Sequence, residues 1–416
     1  MDDAAAPAAR MTPAETVAAI RADPRFAAAC EAMRRDLPRL VEEVVRLTEI
    51  PAPPFGEKAR SDAYLAMLAA HGLEEVEQDA AGNAMGLRRG FGNGDILVVA
   101  AHLDTVFPAG TDVRVRREGT TLFAPGVGDD TLSLAANLAF LRAMDAAGIR
   151  TRHDILFVGD VGEEGVGDLR GIRHLFTEGR HRARIRAFLS VDSPDVSHVC
   201  NGAIGSRRWQ VTFRGPGGHS FSSFGLVNPI YALAGAARAI AALAVPPGTG
   251  TTHCVSVIAG GTSINAIPDA ASMQIDLRSG SPWALDGLEA AAMEAIDRAV
   301  AAENAARSTR SGAITVEKRR IGNRPAGATP ADSPIAQAAL AAVAAEGYAP
   351  VLEASSTDAN IPMSLGIPAL KIGAGGRGGR AHSLDEWIDL EPEETLRGMR
   401  TALATILAVA GMEGVG

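Results

Sequence analysis

Two rhythms of apolar positions divide the chain. Helical spacing begins at Thr12-Pro13-Ala14-Glu15, where Thr12 can cap, Pro13 fits the first turn and Glu15 completes a capping box. It runs through Ile50, breaks at Pro51-Ala52-Pro53-Pro54, and resumes from Glu57 to His71, with Gly72 as a stop. Short apolar runs at Ile96 to Ala101 and Ile155 to Val158 read as buried strands, as does Ala187 to Val191 with Ser190 within it, and another strand is expected at Pro368 to Ile372. Helical patterns at Leu132 to Met144, Pro334 to Glu346 and Pro392 to Ala410 lie between and after them, and a further strand is expected at Val351 to Glu353. Alternating helix and buried strand predicts an α/β fold, a mostly parallel sheet covered by helices.

From Arg207 the rhythm changes. Trp209 to Phe213 alternates like a half-exposed strand, Pro229 to Leu243 is helical, and strands follow at Val255 to Ile258 and Ala271 to Leu277. A helix over Leu285 to Ala302 and a strand over Ile314 to Arg319 complete a β-α-β-β-α-β order, the ferredoxin-like split arrangement. The expected organisation is a first catalytic part at 1–206, an inserted α+β domain at 207–320, and a second catalytic part at 321–416. No internal repeat of 20–50 residues is present, and the alanine-rich opening, residues 1–10, reads as disordered.

Composition narrows the class. Apolar residues at 47% and charged residues at 21% over 416 positions describe an ordinary globular chain. A net charge of −9 without a dense Lys/Arg run argues against nucleic acid as a partner. No apolar stretch is long enough to span a bilayer, and the acidic Met1-Asp2-Asp3 start lacks the charge of a secretory signal, so a cytoplasmic location is expected. Cys30, Cys200 and Cys254 form no Cys-x-x-Cys pair, which indicates neither a disulfide framework nor a thiolate metal site.

The candidate chemistry sits at strand ends, where open parallel sheets place their ligand crevice. His102 and Asp104 follow one buried strand, Glu163 and Glu164 another, and Asp192 a third. His382 lies beyond a fourth, and Asp129 opens a helix after a glycine turn. Each has a plain structural alternative: Asp129 as a helix cap, Asp192 as a turn residue before Ser193-Pro194, Glu163-Glu164 as a solvated turn. Several such coincidences at strand ends favour a joint site. Imidazoles and carboxylates without thiolates suit zinc, cobalt or manganese, and the excess of carboxylates suggests two ions sharing a bridging acid. No Gly-x-Ser-x-Gly elbow is present, and the glycine loop Gly373 to Gly379 lacks the phosphate-loop pattern, so it is expected to be a flexible wall beside His382.

These residues resemble the motifs of the M20 metallopeptidases: His102-Leu103-Asp104-Thr105-Val106, Gly128-Asp129-Asp130, Glu163-Glu164-Gly165, Asp192 and Ala381-His382-Ser383-Leu384-Asp385-Glu386. The resemblance covers nearly the whole chain and implies a di-zinc exopeptidase-like fold whose inserted ferredoxin-like domain is a lid and dimerisation domain. It implies two zinc ions (cobalt or manganese as substitutes) bridged by Asp129, with His102 and Asp192 on one and Glu164 and His382 on the other. Glu163 would be the general base toward the attacking water, and Asp104 would orient His102.

In the inserted domain, Gly215-Pro216-Gly217-Gly218-His219-Ser220 resembles the loop whose histidine stabilises an oxyanion, usually across a dimer. Asn265 and Arg278 resemble positions holding the substrate's carbonyl and carboxylate, although Arg278 also reads as an ordinary strand arginine. Where many relatives continue Asp-Asp-Lys-Gly, this chain has Asp129-Asp130-Thr131-Leu132, which weakens any transfer of subfamily specificity. The implied activity is metal-dependent cleavage of an amide bond in a di- or tripeptide by a homodimer. The alternatives are removal of an N-acyl group from an amino acid, or, in another class, non-catalytic binding of metal or amino acid on the same fold.

Overall fold

The computed structural model describes residues 11–415, so the alanine-rich opening and the Met1-Asp2-Asp3 start lie outside the described residues. The chain divides into two compact units: one runs to Gly202 and resumes at Ala328, and the other is Ala203–Gly327.

In the first unit four of the predicted strands are the centre of the sheet. Asp154–Asp160, Ile96–His102, Ile185–Val191 and Ala369–Ile372 lie in that order and pair in parallel. Their apolar runs have no exposed face because helices cover both sides: Ile96–His102 and Asp154–Asp160 are buried along their entire length. Antiparallel strands flank this centre, Ala84–Arg88 and Glu74–Gln78 on one side and His198–Ala203 on the other. Glu74-Glu75-Val76-Glu77-Gln78 offers no apolar run, which is why the sequence pattern passes over it; a charged strand suits an edge.

Helix Leu132–Ala146 is apolar almost all round and packs against Pro24–Thr48. The opening helical stretch is two helices, Pro13–Ala22 and Pro24–Thr48, because the Asp23 carboxylate accepts the Arg25 N–H at 2.8 Å and caps a fresh start. A second, smaller sheet joins Arg377–Gly379, Trp387–Asp389, Thr121–Phe123 and Arg116–Glu118. The glycine loop is therefore no flexible wall: its end is a strand, and its glycines serve close packing, since a Cβ on Gly378 would lie 2.7 Å from Pro194 Cγ.

The second unit has the ferredoxin-like order. Gly205–Arg214, Thr252–Gly260, Ala270–Ser279 and Thr315–Arg324 form one antiparallel sheet, with Gly205–Arg214 and Ala270–Ser279 central. Helices Pro229–Ala241 and Pro282–Ala306 cover one face. Strict alternation along Ala270–Ser279 buries Ala271, Met273, Ile275 and Leu277 and leaves Ser272, Gln274, Asp276 and Arg278 on the polar face.

Because Phe157 is fully buried mid-strand in the parallel centre, Phe157→Ala is expected to cost about 3–5 kcal/mol. The urea midpoint of the first unit reads this, and a loss below about 1 kcal/mol would contradict the buried placement.

Candidate metal centre

Parallel pairing brings the strand ends to one edge. His102 closes its strand opposite Asp160, so Glu163 and Glu164 emerge just past the same edge, and Asp192 follows Val191 on the next strand over. Asp129 arrives from the turn before helix Leu132–Ala146, at a backbone kink, joined to Asp130 by a cis peptide. It does not cap that helix; the residue preceding Leu132 is Thr131, which makes no side-chain cap bond. Thr131, standing where relatives carry lysine, is buried and points its hydroxyl at the Gly126 carbonyl (3.0 Å) and Thr48 Oγ1 (2.6 Å).

The Asp129 carboxylate spans two imidazoles. Its Oδ1 is 2.9 Å from His102 Nε2, and its Oδ2 is 3.0 Å from His382 Nε2. His382 Nε2 also lies 2.9 Å from Glu164 Oε1. His102 Nδ1 donates to the Asp104 carbonyl oxygen at 2.9 Å, whereas the Asp104 carboxylate is 3.8 Å away. That carboxylate instead accepts the N–H groups of Glu163 and Glu164, each at 2.9 Å. Asp104 thus orients His102 through its main chain and the glutamate pair through its side chain.

Charge is crowded here. Burial opposes a charged His102, but the Asp129 hydrogen bond and the Asp130, Asp129 and Asp104 charges prevail and hold it well above the imidazole range. Hydrogen bonds to Asp129 and Glu164 push His382 up to about 10 against its partial burial. Burial favours the neutral form of Asp129, yet the hydrogen bonds from both histidines carry it below the usual carboxylate range. Burial pushes Asp104 up to about 6, with His102 pulling the other way. Burial also raises Asp192, which Lys371 opposes and the Asp129 charge reinforces.

Two triads share Asp129: His102, Asp129 and Asp192, and Asp129, Glu164 and His382, each with donor atoms within 4.8 Å of one another. A third triad, His102, Glu163 and Glu164, meets the same criterion, so Glu163 belongs to the cluster. The donors fit a pair of divalent cations on one further ground. With Nδ1 committed to a carbonyl, His102 can face Asp129 only by carrying a second proton on Nε2. A cation taking that proton's place leaves the imidazole neutral with its Nε2 lone pair aimed into the site.

The sequence reading assigned no role to several residues that build this edge. Glu386, almost wholly buried, accepts N–H groups from Gly126, Gly128 and Asp129 at 2.8–2.9 Å. Burial pushes its carboxyl up to about 7 despite those donors. Fully buried Asp130 accepts the His102 N–H at 3.1 Å. Asp160 and Asp358 are also fully buried; burial raises both, Asp160 to about 7, and the Asp160 charge raises Asp358 further. Glu386 and Asp130 stand inside the family motifs, and Asp358 in the Ser355-Ser356-Thr357-Asp358-Ala359-Asn360 segment, which resembles the peptidase and deacylase branches alike; Asp160 carries no signal beyond a carboxylate at the end of a buried run.

In the second unit, the two-residue strand Gly218–His219 pairs with Ala266–Ile267, which brings His219 beside Asn265. His219 Nδ1 accepts N–H groups from Phe221 (3.2 Å) and Ser222 (3.4 Å). A neutral imidazole so held carries its proton on exposed Nε2 and presents a donor. Arg278 lies elsewhere. It pairs with Asp276 at 2.8 Å near the other end of strand Ala270–Ser279, roughly 25 Å from the His219 end at strand rise.

An α/β sheet with paired triads at its carboxyl edge is the layout of a metal-dependent hydrolase. Residues 98–408 match the profile of Peptidase family M20/M25/M40; the chain belongs to that family and is a hydrolytic enzyme. Curated protein sequences yield no match. The fold is similar to that of aminopeptidase PepT from Bacillus cereus, with a TM-score of 0.72 at 22% identity over 90% of this chain and 99% of that one. The YxeP protein of Bacillus subtilis, a dinuclear metal-binding peptidase, gives 0.65 at 16% identity over 91% and 99%. A hydantoinase/carbamoylase family amidase from Burkholderia vietnamiensis gives 0.65 at 17% identity over 90% and 97%. No helix among the described residues is long and apolar enough to cross a membrane.

Because the imidazoles hold protons that a cation must displace, metal binding is expected to release protons, and apparent affinity to rise with pH until His382 deprotonates near 10. Calorimetric titration of metal-free protein with Zn²⁺ at pH 7.5, in buffers of low and high ionisation enthalpy, reads the release as a buffer-dependent heat. Equal heats in both buffers would contradict it.

Proposed function

We propose that the protein is a di-zinc exopeptidase that cleaves an amide bond in di- or tripeptides. The carrying observation is the Asp129 carboxylate set between His102 and His382, with Glu163 and Glu164 held beside it by Asp104. On this reading His102, Asp129 and Asp192 hold one cation, and Asp129, Glu164 and His382 the other. Bound there, the ions supply Lewis acidity toward the scissile carbonyl and make water more acidic. Glu163 takes the proton of the attacking water and delivers it to the leaving amine. Asn265 and the His219 Nε2–H donate to the carbonyl oxygen as negative charge develops on it. Arg278 pairs with the substrate carboxylate, steadied by Asp276.

The separation within the inserted domain supports a homodimer. A dipeptide spans only about 7 Å, far less than the distance between His219 and Arg278 on one chain. Each active site would take His219 and Asn265 from one copy and Arg278 from the other. Strand Thr252–Gly260, whose outer edge has no partner strand among the described residues and on which Val257 and Ile258 are exposed, offers a surface for pairing two copies. A second reading, N-acyl-amino-acid hydrolysis, rests on the same Arg278, since both substrate classes set an amide beside a carboxylate.

Amine release from a panel of di- and tripeptides and N-acyl amino acids, with Zn²⁺, Co²⁺ or Mn²⁺ and again with chelator, tests the reaction. Chelator-sensitive peptide cleavage is expected; preference for N-acyl amino acids would replace the first reading with the second, and silence with two ions bound would overturn both. Glu163→Ala is expected to keep both ions while losing turnover by about 10²–10⁴-fold, read by elemental analysis beside kinetics; loss of metal would move the base role elsewhere. His219→Ala and Arg278→Ala, each inactive alone, are expected to recover about a quarter of wild-type activity after subunit exchange, because half the dimers then carry one intact site. No recovery in verified heterodimers would place both residues in one chain's site.

A further inference from the structure

We infer that Glu386 is a positioning residue that sets two ligand-bearing loops in register, so that the two cations are held as a pair. The inference rests on the reading of Asp129 as the shared ligand. Glu386 Oε1 accepts from Gly128 N–H at 2.8 Å and Asp129 N–H at 2.9 Å, and its Oε2 accepts from Gly126 N–H at 2.9 Å. One carboxylate thereby gathers three main-chain donors of a four-residue turn that ends in Asp129.

The main chain of Glu386 makes the complementary links. Its N–H donates to the Ser383 carbonyl at 3.2 Å, closing the turn that follows His382, and its carbonyl accepts the Ala124 N–H at 3.1 Å. Chain 124–129 and chain 382–386 are joined through this one residue. The turn lies directly on it: a Cβ on Gly128 would meet Ile388 Cγ2 at 2.9 Å and Glu386 Oε1 at 3.3 Å, so only glycine permits the approach. Three donors converging on two oxygens fix the direction of the Asp129 backbone. That direction decides whether the Asp129 carboxylate faces His102 and His382 at once. The ion on Asp129, Glu164 and His382 depends on Glu386 through two of its three ligands, the ion on His102, Asp129 and Asp192 through one.

The test is Zn²⁺ binding to metal-free full-length protein at pH 8, by calorimetry with native mass spectrometry to count ions, on wild type, Glu386→Gln and Glu386→Ala. Wild type is expected to bind two ions per chain; fewer would sink the shared-ligand reading itself. A glutamine keeps an acceptor for Gly128 and Asp129 but turns a donor toward Gly126 N–H. The second ion is therefore expected to weaken about tenfold in Glu386→Gln and about a hundredfold in Glu386→Ala, the first ion less. Leu122→Ala, a fully buried cavity variant on the strand paired with Trp387–Asp389, controls for stability alone. It should lower the melting temperature of the metal-free protein while leaving both ion affinities in place. Two ions bound by Glu386→Gln with wild-type affinities would overturn the inference, as would an equal, non-selective weakening in Leu122→Ala. Should Glu386→Ala fail to fold, the glutamine variant decides the matter.

Discussion

Carboxylates are costly to crowd away from water unless positive charge is crowded with them. At the carboxyl edge of the parallel sheet, Asp129, Asp192, Glu163 and Glu164 meet within reach of two imidazoles, and everything nearby is arranged around that cost. Both histidines are driven to hold protons, and Asp129 is driven to stay ionised between them. Protons are poor occupants, since each neutralises one charge and is lost as pH rises. A divalent ion in each of the two triads that share Asp129 would satisfy the same oxygens and leave the imidazoles in their neutral form. The electrostatic demand of the site, more than any single ligand, makes this edge a candidate metal centre.

The sheet makes such crowding affordable. Strands buried on both faces leave their side chains no polar role until the strand ends, so the first polar residue after each apolar run falls at the same edge. This is why so much was legible without coordinates. Uninterrupted runs at Ile96 to Ala101 and Ile155 to Val158 can hardly be anything but central strands, and His102 and the glutamate pair follow them directly. The ferredoxin-like order of the second unit was legible for a related reason: alternation along Ala270–Ser279 is strict, and its two covering helices are long.

What stayed hidden has a common cause. Glu74–Gln78 carries charge where a strand is expected to be apolar, because an edge strand answers to solvent and not to a core. Arg60 sits in a helix whose sequence suggests an outward arginine, yet it is fully buried and donates to the Leu103 carbonyl at 2.6 Å and the Ile50 carbonyl at 2.6 Å. It braces the turn after His102 through main-chain acceptors, which no side-chain pattern reveals. Asp104 was expected to orient His102; its main-chain carbonyl accepts from His102 Nδ1, while its carboxylate serves the Glu163 and Glu164 N–H groups, a division of labour set by backbone geometry. Motif reading finds candidate ligands for an ion; it is weak on the residues that hold the backbone.

The inserted domain shows the same limit from the other side. His219 and Asn265 are brought together by a two-residue strand pair, and their proximity on the page of the sequence, some 46 positions apart, gives no hint of it. Arg278 is far closer to Asn265 in sequence than His219 is, yet strand Ala270–Ser279 carries it to the opposite end of the sheet. A strand is a rigid spacer: eight residues at about 3.3 Å each keep two groups apart no matter how loops move. If one small substrate touches His219 and Arg278 together, as proposed, the two would come from different copies. On that reading a second chain would be part of the catalytic apparatus, and dimer formation a condition of turnover.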